Sequence, residues 1–474
     1  MDGGVSRSSE EASNDRGAKG WQIVIAKRAK LMTVQTEDGN QKTTKLDCIG
    51  KRARYRPETV FNNIGHVVDL DLLCESYRQL EGKKAIGIDG VTKAAYGVKL
   101  ENNLQDLLAR IRRKAYKPQC SRLVEIPKED GSTRPLAISC FEDKIVQQSV
   151  SRILTAIFEP QFHIYSYGYR KGVNGHEALR ALMKYSNQMP DGTTIEIDLR
   201  KYFNTIPHHY LQGFLRRKIS DKHFLKLVEK LIRSPLMVNG KAELNKVGCP
   251  QGSIISPILS NIYLHYVMDD WFHTIRRSHL KGGAEMIRFA DDMVWVFQRQ
   301  EDAEKFYKAL PKRLEKYGLK LHEEKSSVIR SGSKAVKDAA ERGERLPTYT
   351  FLGFTCYWGQ SRNGKWRLKY RSRSDRFAGK LKGLREYLRT CLSEETIKTL
   401  ERVKRIVRGW INYHAISDNQ RRVSSFILQS KRIVFCWINR KGGNRKIHWV
   451  KFAKLMQRIN YPQTFKTTSM FTVC

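Results

Sequence analysis

The stretch MIRFADDMVWVF, residues 286–297, decides the fold class of this chain. Two apolar arms flank Asp291 and Asp292, and this pattern predicts a β-hairpin with both acids at or beside its bend. The hairpin therefore predicts a pair of exposed carboxylates where two strands meet.

A second strand is predicted in TTIEIDL, residues 193–199, because its side chains alternate with a period of two. The apolar side chains share the buried face: Ile195, Ile197 and Leu199. The polar side chains share the solvent face: Thr194, Glu196 and Asp198. Asp198 is therefore expected to lie exposed at the end of its strand.

A helix is predicted between these strands, with Ser256 as its N-cap and Pro257 as its first residue. The apolar positions of this helix are Leu259, Tyr263, Val267 and Trp271. Helices interleaved with strands that return through hairpins predict an α+β fold, in which helices cover one face of an antiparallel sheet.

The composition excludes a small stapled scaffold and a membrane protein. The chain has 474 residues, 40% of them hydrophobic, and no apolar run approaches the roughly 18 residues that a membrane span needs. Lys and Arg number 87 against 48 Asp and Glu, a formal charge of +39. Such a charge is typical of proteins that bind polyanions, so nucleic acid is the expected partner and a membrane is not.

The nine cysteines are scattered without a CxxC pair, which indicates a reduced intracellular protein without structural zinc. Residues 1–50 are predicted to be a flexible basic and polar leader. No apolar segment follows a basic start, so no signal peptide is expected and a bacterial cytoplasm is favoured.

Helical periodicity dominates residues 51–190. It is clearest at five apolar positions: Leu100, Leu104, Leu107, Leu108 and Ile111. A polar hairpin is predicted from Leu123 to Ser139, because two short strand-like arms surround the turn dipeptide Asp130-Gly131.

The last 110 residues, from Lys365, hold 27 Lys and Arg against 6 Asp and Glu, a charge of +21. Three helical patterns run through this region and predict a basic helical bundle. Their apolar positions are Phe377, Leu381, Leu384 and Leu388; Ile397, Leu400, Val403, Val407 and Trp410; and Val423, Phe426, Ile427, Val434 and Trp437. Aromatic side chains on this basic surface would be available to stack on bases or riboses.

Asp198, Asp291 and Asp292 converge if their two strands are neighbours. Carboxylates at close range repel one another unless cations neutralise them, and hard oxygen ligands suit Mg²⁺. Two Mg²⁺ ions about 4 Å apart would serve an in-line displacement at phosphorus, one activating a 3′-hydroxyl and one stabilising the leaving pyrophosphate. For an isolated Asp-Asp pair, a simple turn is the alternative.

Eight blocks of the chain resemble, in the right order, the polymerase motifs of the group II intron reverse transcriptase/maturase family. They are GIDGVT at 87–92, IPKEDGSTRPLAI at 126–138, FEPQFHIYSYGYRKGVNGHEAL at 158–179, IDLRKYFNTI at 197–206, GCPQGSIISPILSNIYL at 248–264, FADD at 289–292, GLKLHEEKS at 318–326 and FLGF at 351–354. VRGWINYH at 407–414 and CWINRKGGNRKIHW at 436–449 resemble the thumb and maturase region of the same family. The resemblance covers about residues 60–460. It implies a right-hand polymerase with fingers (51–190), a palm with an antiparallel sheet (191–364), and a basic helical thumb and maturase domain (365–474).

The resemblance also implies roles for individual residues. Asp198, Asp291 and Asp292 would be catalytic and, with Leu199, would form the site for two Mg²⁺ ions. The implied dNTP-binding residues are Lys128, Arg134, Arg200, Lys201, Tyr202, Phe203, Gln251, Gly252 and Lys325. Phe203 matches a sugar gate that excludes a ribose 2′-hydroxyl, with core packing as the alternative. Lys325 matches a proposed proton donor to pyrophosphate, with a phosphate-facing or surface role as the alternative.

Two further sets follow from the resemblance. Phe351, Leu352 and Gly353 match the primer grip. The implied RNA-binding residues are Arg405, Arg408, Trp410, Tyr413, Arg421, Arg422, Arg440 and Lys441, and for Trp410 packing inside the bundle is the favoured alternative. Phe289 stands where many family members have Tyr, and Asn204 where the family often has Asp. Neither departure removes a metal ligand.

The family resemblance implies an RNA-directed DNA polymerase that also acts as a splicing maturase. Its expected partners are structured intron RNA, an RNA template with a DNA primer or target DNA, and dNTPs. Because the sequence stops at Cys474, the endonuclease domain of some relatives is expected to be missing. Two alternatives stay open: an RNA-binding splicing scaffold with dispensable polymerase activity, and an intron-independent reverse transcriptase in repair or defence.

Overall fold

The computed structural model describes residues 44–127, 133–238, 240–443 and 446–471. Its strands are β1 (Ser121–Pro127), β2 (Thr133–Ile138), β3 (Gly192–Ile197), β4 (Leu236–Val238), β5 (Lys241–Glu243), β6 (Ala284–Phe289), β7 (Asp292–Phe297), β8 (Ser327–Ser331), β9 (Tyr349–Phe351), β10 (Phe354–Gln360) and β11 (Trp366–Ser372).

Helices occupy most of the remaining described chain. They are α1 (Lys45–Tyr55), α2 (Leu70–Gln79), α3 (Lys93–Gly97), α4 (Leu100–Arg112), α5 (Phe141–Phe158), α6 (Gly175–Gln188), α7 (Tyr202–Thr205), α8 (His208–Arg216), α9 (Lys222–Ile232), α10 (Ser256–Leu264), α11 (Asp270–Ser278), α12 (Gln300–Lys316), α13 (Ser333–Glu341), α14 (Ser374–Thr390), α15 (Thr396–His414), α16 (Gln420–Lys441) and α17 (Trp449–Arg458). The mixture confirms the α+β fold class. No helix in the described ranges is long and apolar enough to cross a membrane.

Most of the predicted leader, residues 1–43, lies outside the described residues, and its last part is helical. Helix α1 begins at Lys45 because Thr44 and Asp47 form a capping box, in which each side chain accepts from the other residue's backbone N–H. Ile49 and Ala53 on this helix are buried. The prediction of a leader up to residue 50 is therefore wrong for its last residues, since capping and burial order them.

The predicted polar hairpin is confirmed as the antiparallel pair β1 and β2, with its Asp130-Gly131 turn outside the described residues. Two short strands, β4 and β5, extend this pair to a four-stranded sheet of order β2-β1-β4-β5. The helical prediction for the flanking region holds for α4, where Leu104, Leu107 and Leu108 are buried.

The central sheet has the order β6-β7-β3-β8, and every neighbouring pair in it is antiparallel. The predicted hairpin is β6 and β7, whose last pair is Phe289 with Asp292. Ala290 and Asp291 alone form its turn. The predicted strand at residues 193–199 is β3, which lies beside β7 in the middle of the sheet.

Both faces of the central sheet are covered, so the prediction of helices on one face only is wrong. One face packs against the helical core through side chains such as Ile195 and Trp295. The opposite face, including Val294 and Val296, packs against α6 and a third sheet of order β11-β10-β9. Thr194, predicted to face solvent, is fully buried by this extra layer and donates a hydrogen bond to Ser331 Oγ at 2.8 Å.

The predicted long helix after Ser256 is three consecutive segments. Helix α10 is followed by a π-helical segment, His265–Asp269, and then by α11. Pro257 lies in the first turn as predicted. Ser256, the predicted N-cap, is already the first helical residue, and its hydroxyl donates to the Pro250 carbonyl at 2.8 Å instead of capping the helix. Leu259, Tyr263 and Val267 are fully buried, whereas Trp271 is half-buried.

The three predicted C-terminal helices are confirmed as α14, α15 and α16, and they share one apolar core with α17. Ile397 is the exception to the predicted apolar positions, because 43% of its surface is exposed. Strand β11 begins at Trp366 and pairs along its whole length with β10. The predicted palm boundary after residue 364 therefore falls between two paired strands.

Candidate active site

Three carboxylates predicted to be catalytic lie at the same end of two neighbouring strands. The β3–β7 ladder ends at the pair Ile197 and Met293. Asp198 follows Ile197 directly, and Asp292 precedes Met293, with Asp291 in the adjoining turn. The antiparallel pairing of β3 and β7 therefore meets the condition under which these carboxylates converge.

The pKa values of these carboxyls show how strongly the charges are concentrated. Burial raises the pKa of Asp291, and the negative charge of Asp198 raises it further. Burial also raises the pKa of Asp292 to about 7, with added contributions from Asp291, Glu196 and Asp198. Such a cluster favours a bound cation, and its hard oxygen donors are of the kind that Mg²⁺ prefers.

Glu196 is an acidic residue of the site that was not predicted from the sequence. It stands two residues before Asp198, on the same face of β3, and its carboxylate accepts from the Thr350 hydroxyl at 2.9 Å. Burial raises its pKa, although the hydrogen bonds from Thr350 oppose that shift. The alternation of Glu196 with Asp198 was the signal that could have identified it.

Asp198 is held by the segment that contains the predicted general acid. Its backbone N–H donates to Ser326 Oγ at 3.3 Å, and its carbonyl accepts from the His322 N–H at 2.8 Å. Lys325 Nζ lies 3.9 Å from Asp198 Oδ2 on the solvent side. The side chain of Leu199 is buried, so only its backbone carbonyl can contribute to a metal site.

A fully buried arginine supports the turn that carries Asp291. Arg288 donates from Nε and Nη2 to the two carboxylate oxygens of Asp269, at 2.8 and 2.7 Å. Its Nη1 donates to Asn261 Oδ1 at 3.0 Å and to the Ala290 carbonyl at 3.2 Å. This network was not predicted, although a charged residue inside the apolar arm of a hairpin was a signal for it.

The same turn is pressed against the segment SYGYR, residues 166–170. A Cβ atom at Gly168 would lie 2.2 Å from the Ala290 nitrogen, so only glycine allows this approach. Ala290 has a φ of +57°, which a non-glycine residue adopts only under constraint. The Asn261 side chain donates to the Gly168 carbonyl at 2.7 Å and joins this segment to the arginine network.

The loop predicted to flank the nascent base pair is tied to the β1–β2 hairpin. The Gln251 carbonyl accepts from the Ala137 N–H at 2.6 Å. Gly252 has a φ of +98°, and a Cβ there would lie 2.8 Å from the Ala137 carbonyl. Arg134 on β2 is exposed, and its charge lowers the pKa of Asp291 against the effect of burial. Lys128, the other predicted triphosphate ligand, lies outside the described residues.

The residues after Asp198 divide between solvent and core. Arg200 and Lys201 are exposed. Tyr202 is fully buried, and its hydroxyl donates to the Ser260 carbonyl at 2.9 Å. The Tyr202 side chain therefore belongs to the core, and the predicted dNTP contact at this residue stays a prediction for its backbone. Phe203 is half-buried and lies edge-on to Tyr202, with ring centroids 5.3 Å apart.

The predicted primer grip is the two-residue turn between β9 and β10. Leu352 and Gly353 both have positive φ, 50° and 81°, which fits a type I′ turn. The Leu352 N–H donates to Asp292 Oδ2 at 3.2 Å, so this turn lies directly over the acidic cluster. The Leu352 carbonyl accepts from the Tyr413 hydroxyl at 2.7 Å. Tyr413, predicted to bind RNA, thus joins the bundle to the primer-grip turn.

The other predicted RNA-binding residues differ in exposure. Trp410 is only 8% exposed and stacks on Phe426, with centroids 3.8 Å apart, so it has the packing role that was the favoured alternative to RNA binding. Arg422 lies over the Phe377 ring, and Lys441 Nζ donates to the Glu394 carbonyl. Four of the predicted side chains are exposed: Arg405, Arg408, Arg421 and Arg440.

Comparisons with known proteins agree with this geometry. Residues 126–356 match the family described as reverse transcriptase (RNA-dependent DNA polymerase). Protein YkfC of Escherichia coli is 36% identical over 44% of this chain and 55% of its own length. Group II intron-encoded protein LtrA of Lactococcus lactis is 29% identical over 46% of this chain and 37% of its own length. The putative COX1/OXI3 intron 1 protein of Saccharomyces cerevisiae is 34% identical over 48% of this chain and 27% of its own length.

The chain therefore spans from about a quarter to about half of the length of these relatives. A solved structure of telomerase from Candida albicans, in complex with a fragment of telomeric RNA, aligns with 78% of this chain and 62% of its own. Its TM-score is 0.45 at 14% identity.

Proposed function

We propose that the chain belongs to the family of group II intron reverse transcriptases and maturases and that it is an RNA-directed DNA polymerase. The observation that carries the proposal is the cluster of Asp198, Asp291 and Asp292 at two neighbouring strand ends, directly below the primer-grip turn. We also propose that the basic bundle binds structured intron RNA and assists splicing and mobility, in the bacterial cytoplasm.

The proposed cofactor is Mg²⁺, two ions per site, held by Asp198, Asp291 and Asp292 with the Leu199 carbonyl. When bound, these ions would activate the primer 3′-hydroxyl and stabilise the leaving pyrophosphate. The protein positions the substrates: the β9–β10 turn holds the primer end, and Arg134 binds the triphosphate of the incoming dNTP. In this proposal Lys325, whose Nζ lies 3.9 Å from Asp198 Oδ2, donates a proton to the pyrophosphate.

Primer extension on an RNA template tests the polymerase. The wild type is compared with the double variant Asp291→Ala, Asp292→Ala, in Mg²⁺ and dNTPs, and we expect only the wild type to extend while both bind RNA. A matched control is Glu301→Ala, Glu304→Ala, which removes two exposed acids from α12 and should extend normally. Extension by the Asp variant would contradict the site. Failure of all three proteins, with RNA binding intact, would favour the splicing scaffold.

Phe203 is proposed as the sugar gate. Its ring is half-buried, so part of it remains available to a nucleotide. Phe203→Val should lower the preference for dNTPs over rNTPs about tenfold or more, because steric exclusion of one hydroxyl-sized group is worth on this order. Competitive single-nucleotide incorporation measures the preference, and an unchanged ratio would return Phe203 to a core role.

A further inference from the structure

A second group of potential metal ligands lies behind the catalytic turn, and none of its residues has a polymerase role assigned above. It consists of His163, His265 and Asp270, whose ligand atoms all lie within 4.8 Å of one another. His163 Nε2 lies 3.0 Å from Asp270 Oδ1, and His265 Nε2 lies 3.6 Å from the same oxygen. Two imidazoles therefore converge on one carboxylate.

The imidazole of His265 lacks the partners that a buried polar ring normally has. Only 4% of the residue is exposed, and its Nδ1 has no hydrogen-bond partner among the residues that the structure describes. Asp269 Oδ2 lies 4.0 Å from Nδ1, too far for a hydrogen bond. A buried ring nitrogen without a hydrogen bond costs free energy, so the imidazole is poorly satisfied, while its other nitrogen, Nε2, faces Asp270.

The π-helical segment explains why these ligands face one another. In an α-helix, His265 and Asp270 would point in different directions, because residues five apart do not stack. In the π-helix, the Asp270 N–H donates to the His265 carbonyl, which places the two residues one above the other. Single π-helical turns are frequent at functional sites. The π-helical turn therefore brings His265 and Asp270 together.

We propose that His163, His265 and Asp270 bind a zinc-class transition-metal ion. Two imidazole nitrogens and one carboxylate oxygen form a ligand set that Zn²⁺ accepts and that Mg²⁺, which prefers oxygen, does not. Zinc–ligand bonds of about 2.0–2.1 Å set neighbouring tetrahedral ligands about 3.3–3.4 Å apart. The separations of 3.0 and 3.6 Å between each imidazole and the carboxylate bracket that value, and the two imidazole ligand atoms lie within 4.8 Å of each other. Water completes the fourth position.

Asp269 completes the site from behind. A metal-bound histidine usually donates its other ring N–H to a carboxylate, and Asp269 Oδ2 is the acceptor that faces His265 Nδ1. Asp269 is also the buried partner of Arg288, which hydrogen-bonds the Ala290 carbonyl in the catalytic turn. The ion would therefore fasten the His163 segment to the scaffold of that turn, as a structural site separate from the catalytic metals.

Metal titration of the full chain tests this site. Protein freed of metal with a chelator is titrated with Zn²⁺ in excess Mg²⁺, and with Co²⁺, whose visible absorption reports tetrahedral ligands. We expect one tightly bound equivalent and a rise in Tm on binding. His163→Gln should weaken binding at least about tenfold. The control His209→Gln removes an exposed histidine and should bind as the wild type.

Two comparisons keep the outcome decisive. His265→Gln alters a core residue, so the half-buried His163→Gln carries the conclusion, with circular dichroism confirming its fold. Asp291→Ala, Asp292→Ala should retain the Zn²⁺ site. If this double variant loses Zn²⁺ binding, or if His163→Gln keeps it, the ion binds elsewhere and the proposal fails. Absence of tight Zn²⁺ binding by the wild type would also contradict the proposal, and the site would then be only a hydrogen-bonded His–Asp pair.

Discussion

Arginines serve the catalytic turn and the C-terminal bundle in different ways. Arg288 is fully buried, and its guanidinium is satisfied by Asp269, Asn261, Ser166 and the Ala290 carbonyl. Arg405 and Arg421 on the bundle are exposed around a large apolar core. The turn is thus fixed by an internal polar framework, whereas the bundle is fixed by apolar packing and keeps its charge for a partner.

This difference predicts which changes damage the fold and which damage binding. A buried charge that loses its partner destabilises the protein strongly, because desolvation is no longer compensated. An exposed charge that is removed changes stability little and acts through the screened attraction for polyanions. The largest effect is therefore expected at Arg288 and the smallest at the exposed arginines of the bundle.

Arg288→Met should lower the free energy of unfolding by about 3–5 kcal/mol, because it leaves Asp269 buried without a partner. Urea denaturation measures the change. The control Arg330→Met removes an exposed ion pair with Asp191 and should cost much less. The double variant Arg288→Met, Asp269→Leu should recover stability but not primer extension, since the Ala290 carbonyl stays unsupported. A decrease below about 1 kcal/mol for Arg288→Met would contradict the framework.

Gly168→Ala should lower primer extension by about 10- to 100-fold, which corresponds to about 1.4–2.7 kcal/mol. The added methyl would lie 2.2 Å from the Ala290 nitrogen, so the turn with Asp291 must move. RNA affinity should stay close to that of the wild type. The control is Gly213→Ala on α8, where nothing lies within 4 Å of the added methyl. Normal extension by Gly168→Ala would show that the turn tolerates displacement.

His414 makes the junction between the bundle and the third sheet sensitive to acid. Burial lowers its pKa to about 4, and the ring accepts or donates a hydrogen bond with Ser372. The unfolded chain has the ordinary pKa of about 6.5, so stability is full above that value and falls as the pH drops below it. Between pH 7 and pH 5 the free energy of unfolding should decrease by about 2 kcal/mol more in the wild type than in His414→Gln.

Thermal unfolding at the two pH values measures this difference. His448→Gln, which replaces an exposed histidine of the same bundle, should keep the pH response of the wild type. Equal pH responses of His414→Gln and the wild type would show that the junction does not depend on a neutral imidazole.

Removal of exposed charge from the bundle should alter RNA binding without altering the fold. The triple variant Arg405→Gln, Arg408→Gln, Arg421→Gln should reduce the slope of log K against log salt by about 0.7 for each phosphate that the protein no longer neutralises. Filter binding across a salt series measures the slope, and Tm should change little. The control replaces Lys305, Lys308 and Lys312 on α12 with Gln. An equal change in slope for the control would mean that the total charge of the protein, and not the surface of the bundle, sets the salt dependence.

The sequence predicted the elements whose side-chain periodicity is decided locally. The hairpin at 286–297, the strand at 193–199 and the three bundle helices follow from periods of two and 3.6, and the structure has all of them. The π-helical turn at His265 was not predicted, and its extra residue makes Phe272, instead of the predicted Trp271, the next fully buried position after it. The side chains of Tyr202 and Trp410 are both buried, and packing was expected only for Trp410, because an aromatic residue in a motif has the same sequence pattern in either role.

The sequence by itself determined the α+β class, the positions of Asp198, Asp291 and Asp292, and the charge of the bundle, because these depend on composition and short spacing. Tertiary structure alone decided that β3 lies beside β7, that a third sheet covers the face once expected to meet solvent, and that Arg288 and Gly168 hold the catalytic turn. Pairing between distant segments depends on which surfaces meet, and burial of a charge becomes favourable only when its partners arrive with it.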